Sequence, residues 1–238
     1  MRVKYKNEHY FDSIDTEDKA YWLGFIYADG CISKPTRKIK DKIKPYYRIE
    51  ISLNDIDAEH LEKLRKSLDM EAPVRIAKTN FANSNRARLG WNSKHMWNVL
   101  NSYGCSPCKS KTLKFPNPNI FKNKELIKHF IRGYIDGDGC LSYCDTKHKR
   151  AHLLILGTHH MLENIQNWLP LQYVLQIYGK NSESVQQLSI VGRTAFFIEN
   201  YLYKDSTIRL ERKYNKYLEH CRLYLEEYGL QLGKYGEL

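Results

Sequence analysis

Two short segments of this chain place an aspartate-glycine pair at the same point. Asp29-Gly30 lies in GFIYADGCIS, residues 24–33, and Asp138-Gly139 lies in GYIDGDGCLS, residues 133–142. Six of the ten positions are identical, and the pairs Phe25/Tyr134, Ala28/Gly137 and Ile32/Leu141 are conservative. Each segment begins apolar and runs to its acid-glycine pair, with a further acid, Asp136, in the second. Gly24 and Ala28 are four residues apart, as are Gly133 and Gly137, so each pair shares one face of a helix. Small residues at that spacing let two helix backbones approach closely. A glycine within a helix costs about 0.5–1 kcal/mol relative to alanine, so it asks for a packing reason. If the two helices pack through these faces, Asp29 and Asp138 arrive together at one end. Two carboxylates held close in a partly dry site repel each other, and either a proton or a cation must neutralise them. Hard oxygen ligands with few histidines nearby favour magnesium over zinc. A divalent ion between paired aspartates of a basic protein suggests phosphodiester hydrolysis.

The basic character is pronounced. The 238 residues contain 38 Lys and Arg against 27 acids, a net charge of +11. Such a balance points to a polyanionic partner, with nucleic acid ahead of an anionic membrane surface. No apolar run approaches the roughly 20 residues that a membrane helix needs. MRVKYKNEHYFDSID at the start lacks the apolar core of a signal peptide. The expectation is an intracellular protein, in cytoplasm, nucleoid or organelle matrix, whose six cysteines are reduced. Cys105 and Cys108 have CxxC spacing, but no second pair follows. With His95 as the nearest further ligand they form a weak zinc candidate, and ordinary loop cysteines are the better reading.

The elements that would position the aspartates recur in both halves. In the first, Asp15 is the expected helix cap, Thr16 to Ala28 reads as helix, and Gly30 stops it. In YYRIEISLN, Tyr47, Ile49, Ile51 and Leu53 alternate with Arg48, Glu50, Ser52 and Asn54, the pattern of a half-buried strand. AEHLEKLRKSL is an amphipathic helix with Leu61, Leu64 and Leu68 on one side. RARLGW is a second strand with Arg86 and Arg88 on its outer face, and a helix near 93–102 closes the unit. FPNPNIFKN, residues 115–123, reads as a linker. The second half starts with Asn123 as cap and a helix over 124–137. It continues through strand HLLILG, helix HMLENIQNWL, strand QQLSIVG with Gln187 and Ser189 outward, and helices over 194–203 and 210–228. The units are expected at 1–114 and 124–238, with the linker at 115–123 between them.

WLGFIYADG (22–30) and IRGYIDGDG (131–139) resemble the two LAGLIDADG motifs of single-chain homing endonucleases. The likeness extends over roughly residues 20–218, counting the order of strands and helices after each motif. The resemblance implies an α+β fold of two pseudo-symmetric αββαββα units, with the motif helices at the central interface. Each unit would present a saddle-shaped antiparallel sheet to the major groove of double-stranded DNA. It implies a monomer with internal pseudo-twofold symmetry that cuts a long, non-palindromic site. It makes Asp29 and Asp138 the catalytic acids, sharing two or three Mg2+ ions with the backbone carbonyls of Ala28 and Gly137. Tyr27 and Asp136 occupy a position that is not catalytic. The resemblance also implies a catalytic basic residue near the active centre in each half, to stabilise developing charge or organise the attacking water. Lys109 in SPCKSKTLKFP fits the first, and Lys213 or Arg212 in LYKDSTIRLERKY the second. Arg48, Glu50, Ser52, Asn54, Arg86, Arg88, Gln187 and Ser189 would face base edges. Arg37, Lys38 and Lys40 in the loop KPTRKIKDKIK, with Lys147, Lys149, Arg150 and Arg193, would hold phosphates or flanking bases. Asn54 and Thr158 would support the solvent network. The alternative is an intron RNA maturase, or a regulator of the same fold that does not cut. With no splicing domain flanking the motif pair, an intein is not expected.

Overall fold

In the computed structural model, residues 7–39, 42–78, 85–145, 149–171, 174–179 and 185–227 are described. Helix α1 (Glu17–Asp29) is hydrophobic all round, with every residue from Ala20 to Tyr27 buried. Such a helix belongs in the middle of a core. Its cap is Thr16 rather than the expected Asp15, with Thr16 Oγ1 accepting from Lys19 N at 3.3 Å. Asp15 is drawn to Lys19 Nζ at 2.8 Å instead.

Strand β1 (Gly30–Ser33) leaves α1 directly. KPTRKIKDKIK, expected as a loop, instead contains two antiparallel strands, β2 (Thr36–Ile39) and β3 (Lys42–Pro45), that form a separate two-stranded ribbon. The chain returns as β4 (Arg48–Asn54), then α2 (Ala58–Ser67), β5 (Arg75–Lys78), β6 (Asn85–Asn92) and α3 (Lys94–Ser102). The sheet order is β1-β4-β6-β5, and every pairing is antiparallel. The alternation expected for β4 and β6 holds. Ile49, Ile51, Leu53, Ala87, Leu89 and Trp91 are buried, while their neighbours face outward.

The order is repeated after the proline-containing segment. Helix α4 (Leu126–Asp138) is followed by β7 (Gly139–Asp145), β8 (Arg150–Gly157), α5 (His159–Trp168), β9 (Ile177–Tyr178), β10 (Gln186–Val191) and α6 (Gly192–Tyr203). The second sheet has the matching order β7-β8-β10-β9. Helix α4 starts two residues later than expected, because Asn123 uses its side chain to accept from Leu126 N at 3.2 Å and closes a turn there. The last helix, expected over 210–228, is α7 (Glu211–Glu227); it packs on α6 through Phe196 and Tyr224, whose rings stack at 4.0 Å. The fold class is α+β with antiparallel sheets, as expected. Among the described residues no helix is long and apolar enough to cross a membrane.

Helices α1 and α4 cross at the centre of one continuous core. A Cβ at Gly24 would lie 2.0 Å from the Phe130 carbonyl oxygen, and one at Gly133 2.0 Å from that of Tyr21. Neither distance can be occupied, so only glycine permits this approach. One turn further on, a Cβ at Gly137 would lie 2.3 Å from Ala28 Cβ. The interface has room for one methyl group there, and the first motif supplies it.

Candidate active site

The crossing sets both aspartates side by side. Asp29 and Asp138 are the last residues of α1 and α4, and each is followed by a glycine that begins a strand. A Cβ on Gly137, the residue before Asp138, would be 3.3 Å from Asp29 Oδ2. Burial pushes the Asp138 carboxyl up to about 6, and the nearby Asp29 charge adds to the shift. Asp29 is also raised, again by burial first, although Lys213 and Lys109 pull the other way. Among the described residues neither carboxylate has an ion pair. The cations nearby act on the two acids only through space, no direct ion pair neutralises either, and the donors where they meet are oxygens. That is the donor chemistry of a magnesium or calcium site.

Lys109 and Lys213 are both buried and both directed at these turns. Lys109, in a short helical turn after α3, donates from Nζ to Gly30 O at 2.6 Å and to Ala28 O at 3.2 Å. Lys213, in the first turn of α7, donates to Gly139 O at 2.6 Å, with Gly137 O at 3.5 Å. It also reaches Ile135 O at 2.6 Å and Asp136 O at 2.7 Å. The two cations thus meet matching carbonyls of the two motifs. They satisfy acceptors that every helix leaves open at its C-terminus and sit at the negative end of its dipole. Arg212 is not the counterpart, since its guanidinium pairs with Asp57 at 3.1 Å.

Asp136 is buried and fully engaged, in line with a structural position. It accepts from the hydroxyls of Tyr21 and Tyr203, each at 2.6 Å, and from Leu210 N at 2.7 Å. His60 completes the chain. Burial lowers its pKa to about 3, so it is neutral, and its Nε2 lies 2.9 Å from the Tyr21 hydroxyl. Because that hydroxyl donates to Asp136, His60 must carry its proton on Nε2. Tyr27, the residue matching Asp136, donates to Tyr103 O. Arg132 was not singled out by its sequence position, yet it is 1% exposed and ties α4 to the segment before α7. It donates to Leu202 O, Ile208 O and Glu17, at 3.0, 3.1 and 2.7 Å. An arginine inside an apolar helix face is a usable signal for such a bridge, because a charge is buried only with partners.

The outward faces hold most of the remaining candidates. Arg48, Glu50, Ser52 and Asn54 lie opposite Asn92, Gly90, Arg88 and Arg86 on the open side of the first sheet. Arg48 and Glu50 pair with each other. Asn54 also caps the turn before α2, accepting from Ile56 N at 3.2 Å. Gln187 is exposed, whereas Ser189 shares a 2.9 Å hydrogen bond with His152. Thr158 is buried, caps α5 and donates to Leu113 O at 2.5 Å. Arg37 and Lys38 are exposed on the β2-β3 ribbon; Lys149 and Arg150 are exposed at the start of β8, and Arg193 at the start of α6. Lys40 and Lys147 lie outside the described residues. The CxxC pair is not a zinc site. Cys105 is buried against Ile26 O, its thiol pushed up to about 12 by burial, while Cys108 is exposed. His95 is held by Asp12 at 2.6 Å.

No sequence model of a known protein family matches the chain. A curated relative is a protein described as a probable translation initiation factor IF-2 from Methanocaldococcus jannaschii, 24% identical over 212 residues. The match covers 85% of this chain and 16% of that protein, so the chain spans about a sixth of its length. Solved structures resemble the fold over nearly the whole chain. The LAGLIDADG homing endonuclease I-LtrWI, bound to its target DNA, superposes with a TM-score of 0.60 at 12% identity, covering 93% of this chain and 92% of that one. I-GzeII in complex with its DNA target gives 0.57 at 14% identity, covering 90% and 93%. I-SmaMI, bound to uncleaved target in the presence of calcium ions, gives 0.58 at 14% identity, covering 88% and 92%.

Proposed function

We propose that this chain, which has the LAGLIDADG homing endonuclease fold, is a site-specific endonuclease that cuts both strands of a long, non-palindromic DNA duplex. One observation carries the reading. Two motif helices pack so closely that their terminal aspartates share a site with no ion pair among the described residues, and one of them is held near a pKa of about 6. A purely structural helix interface gains nothing from that arrangement. Perturbed acids with no direct ion pair, in a cleft, are a sign of chemistry.

The residues fit divalent cations, and Mg2+ is the natural choice for a site of hard oxygen donors. Asp29 and Asp138 would hold two or three such ions; the Ala28 and Gly137 carbonyls, which are the longest contacts of Lys109 and Lys213 at 3.2 and 3.5 Å, would join them through their remaining lone pairs. When bound, the metal supplies Lewis acidity toward the phosphodiester and lowers the pKa of water at the site. The chain's own residues do the positioning. Lys109 and Lys213 fix the motif turns by their carbonyls and lend positive charge beside the acids without neutralising them directly. In this reading they are positioning residues in place of the catalytic role expected for them, because each Nζ is taken up by backbone carbonyls. A cleft of about 150 Å3 lined by Ala28, Lys109, Tyr134, Asp138 and Thr158 adjoins the acids. On either side, the outward sheet faces with Arg48, Ser52, Arg86, Arg88 and Gln187 would meet the major groove. The β2-β3 ribbon and the cations near β8 and α6 would meet phosphates, with internal pseudo-twofold symmetry in a monomer.

The test uses the purified protein, Mg2+ and a duplex library that includes the DNA flanking the gene's own locus. Sequence-specific double-strand cutting is expected. Asp29→Asn and Asp138→Asn should each abolish it while duplex binding survives. Wild-type cutting by either variant, or strong preference for intron RNA with no DNA cleavage, would refute the assignment.

A further inference from the structure

The outward faces of the two sheets are chemically unlike, and their registers allow a position-by-position comparison. Gly30 pairs with Ile51 in the first sheet, and Gly139 pairs with Ile155 in the second. Glu50 therefore matches Leu154, and Ser52 matches Leu156. Ile51 pairs with Leu89, and Ile155 with Leu188. Arg88 then matches Gln187, and Asn92 matches Val191. Arg86 matches Val185, the residue just before β10. Four polar positions of the first sheet are thus aliphatic in the second. Leu156, Val185 and Val191 are 41%, 47% and 51% exposed, and Tyr178 beside Gln187 is 49% exposed.

These side chains do not belong to the core, which takes the alternate positions Leu153, Ile155, Leu188 and Ile190. Nor do they form a patch suited to a stable protein partner. Gln187 and the His152–Ser189 pair interrupt the row, and four aliphatic side chains fall far short of the roughly 1,200 Å2 such an interface buries. The surroundings stay basic, with Lys149, Arg150 and Arg193 exposed at the outer end. Toward the centre, Leu156 and Val185 line the cleft that holds Asp138. The counterpart of Val185 in the first sheet, Arg86, is instead near enough to Asp29 to lower its pKa.

In the major groove, the base feature that an apolar side chain can meet is the 5-methyl group of thymine. We propose that the second unit reads its half of the target through thymine methyl groups, contacted by Leu154, Leu156, Val185 and Val191. The first unit reads its half through polar contacts, with Arg86, Arg88 and the Arg48–Glu50 pair as the determinants. The two half-sites then differ in kind. One is selected by hydrogen bonding, in which arginine favours guanine. The other is thymine-rich at the positions facing β8 and β10. This inference rests on the DNA-binding reading above.

The test replaces thymine by deoxyuridine, which removes the methyl group and nothing else. After the preferred duplex has been selected from a random library, deoxyuridine is introduced into one half-site at a time. In the second unit's half, each contacted methyl should cost about fourfold in affinity, the loss expected for one buried carbon. In the first unit's half, affinity should be unchanged. Leu156→Ala, at an exposed position, should erase the thymine–deoxyuridine difference at one position and leave it at the others. Sequence-specific binding that is indifferent to deoxyuridine in both halves overturns this inference alone. Binding with no sequence preference at all overturns the endonuclease reading and this one with it. A concentration-dependent dimer abolished by Leu156→Asp would assign the row to self-association and also overturn it.

Discussion

Asp138→Asn should make the protein more stable while removing its activity. The wild-type carboxyl is raised from 3.8 to about 6, by burial first and then by Asp29. At about 1.36 kcal/mol per unit, holding that group ionised costs the fold about 3 kcal/mol. The residue borders an open cleft, so solvent screening reduces the figure, and about 1–2 kcal/mol is the working expectation. Because the folded pKa lies above the unfolded one, the cost is absent below about pH 4, grows between about 4 and 6, and is complete above that. Asparagine has nearly the same shape and no charge, so its advantage should follow the same curve. For a chain of this length, 1–2 kcal/mol corresponds to a rise of roughly 3–6 °C in melting temperature. The assay is thermal unfolding of both proteins across pH with a chelator present, repeated with Mg2+. Wild type should recover stability on adding the metal, since binding to the folded state alone stabilises it, and the variant should recover less. A variant no more stable than wild type at about pH 8, or one whose advantage persists at about pH 4, would show that the two acids do not repel as argued.

The other expectations concern the crossing and its cations. Gly24→Ala and Gly133→Ala each drive a methyl into a backbone carbonyl 2.0 Å away, so each should cost about 1–3 kcal/mol or more, read as a lowered urea midpoint. Lys213→Met should cost about 3 kcal/mol or more, because it strands buried carbonyls and leaves Asp136 without its main opposing charge. Arg212→Ala should cost about 1–3 kcal/mol in the same denaturation series, less than Lys213→Met, since the arginine is half exposed but its partner Asp57 is buried and would be left without its cation.

How much of this was legible depends on the range of the interactions involved. The strands β4 and β6 could be read because alternation is local, and a half-buried strand shows it directly. The motif helices could be read because the segment is duplicated, and their packing faces because glycine spacing has few other uses. Helix starts were displaced by one or two residues, at Asp15 and at 124, where neighbouring polar side chains compete for the same backbone donors. The β2-β3 ribbon was missed because its composition is that of a solvated lysine loop. Lys213 could not be separated from Arg212, since spacing alone does not say which of two adjacent cations turns inward.

The sequence by itself determined that two acidic helix ends exist, that each follows a helix built for close contact, and that the chain as a whole favours a polyanion. These are properties of composition and of short-range pattern. Only the tertiary structure decided that Asp29 and Asp138 lie together without an ion pair among the described residues, and that buried lysines hold the turns by their carbonyls. It alone aligned Glu50 with Leu154 and Arg86 with Val185. Each of those depends on register and burial across segments about a hundred residues apart, and in a sheet a slip of one residue would turn every such side chain to the opposite face.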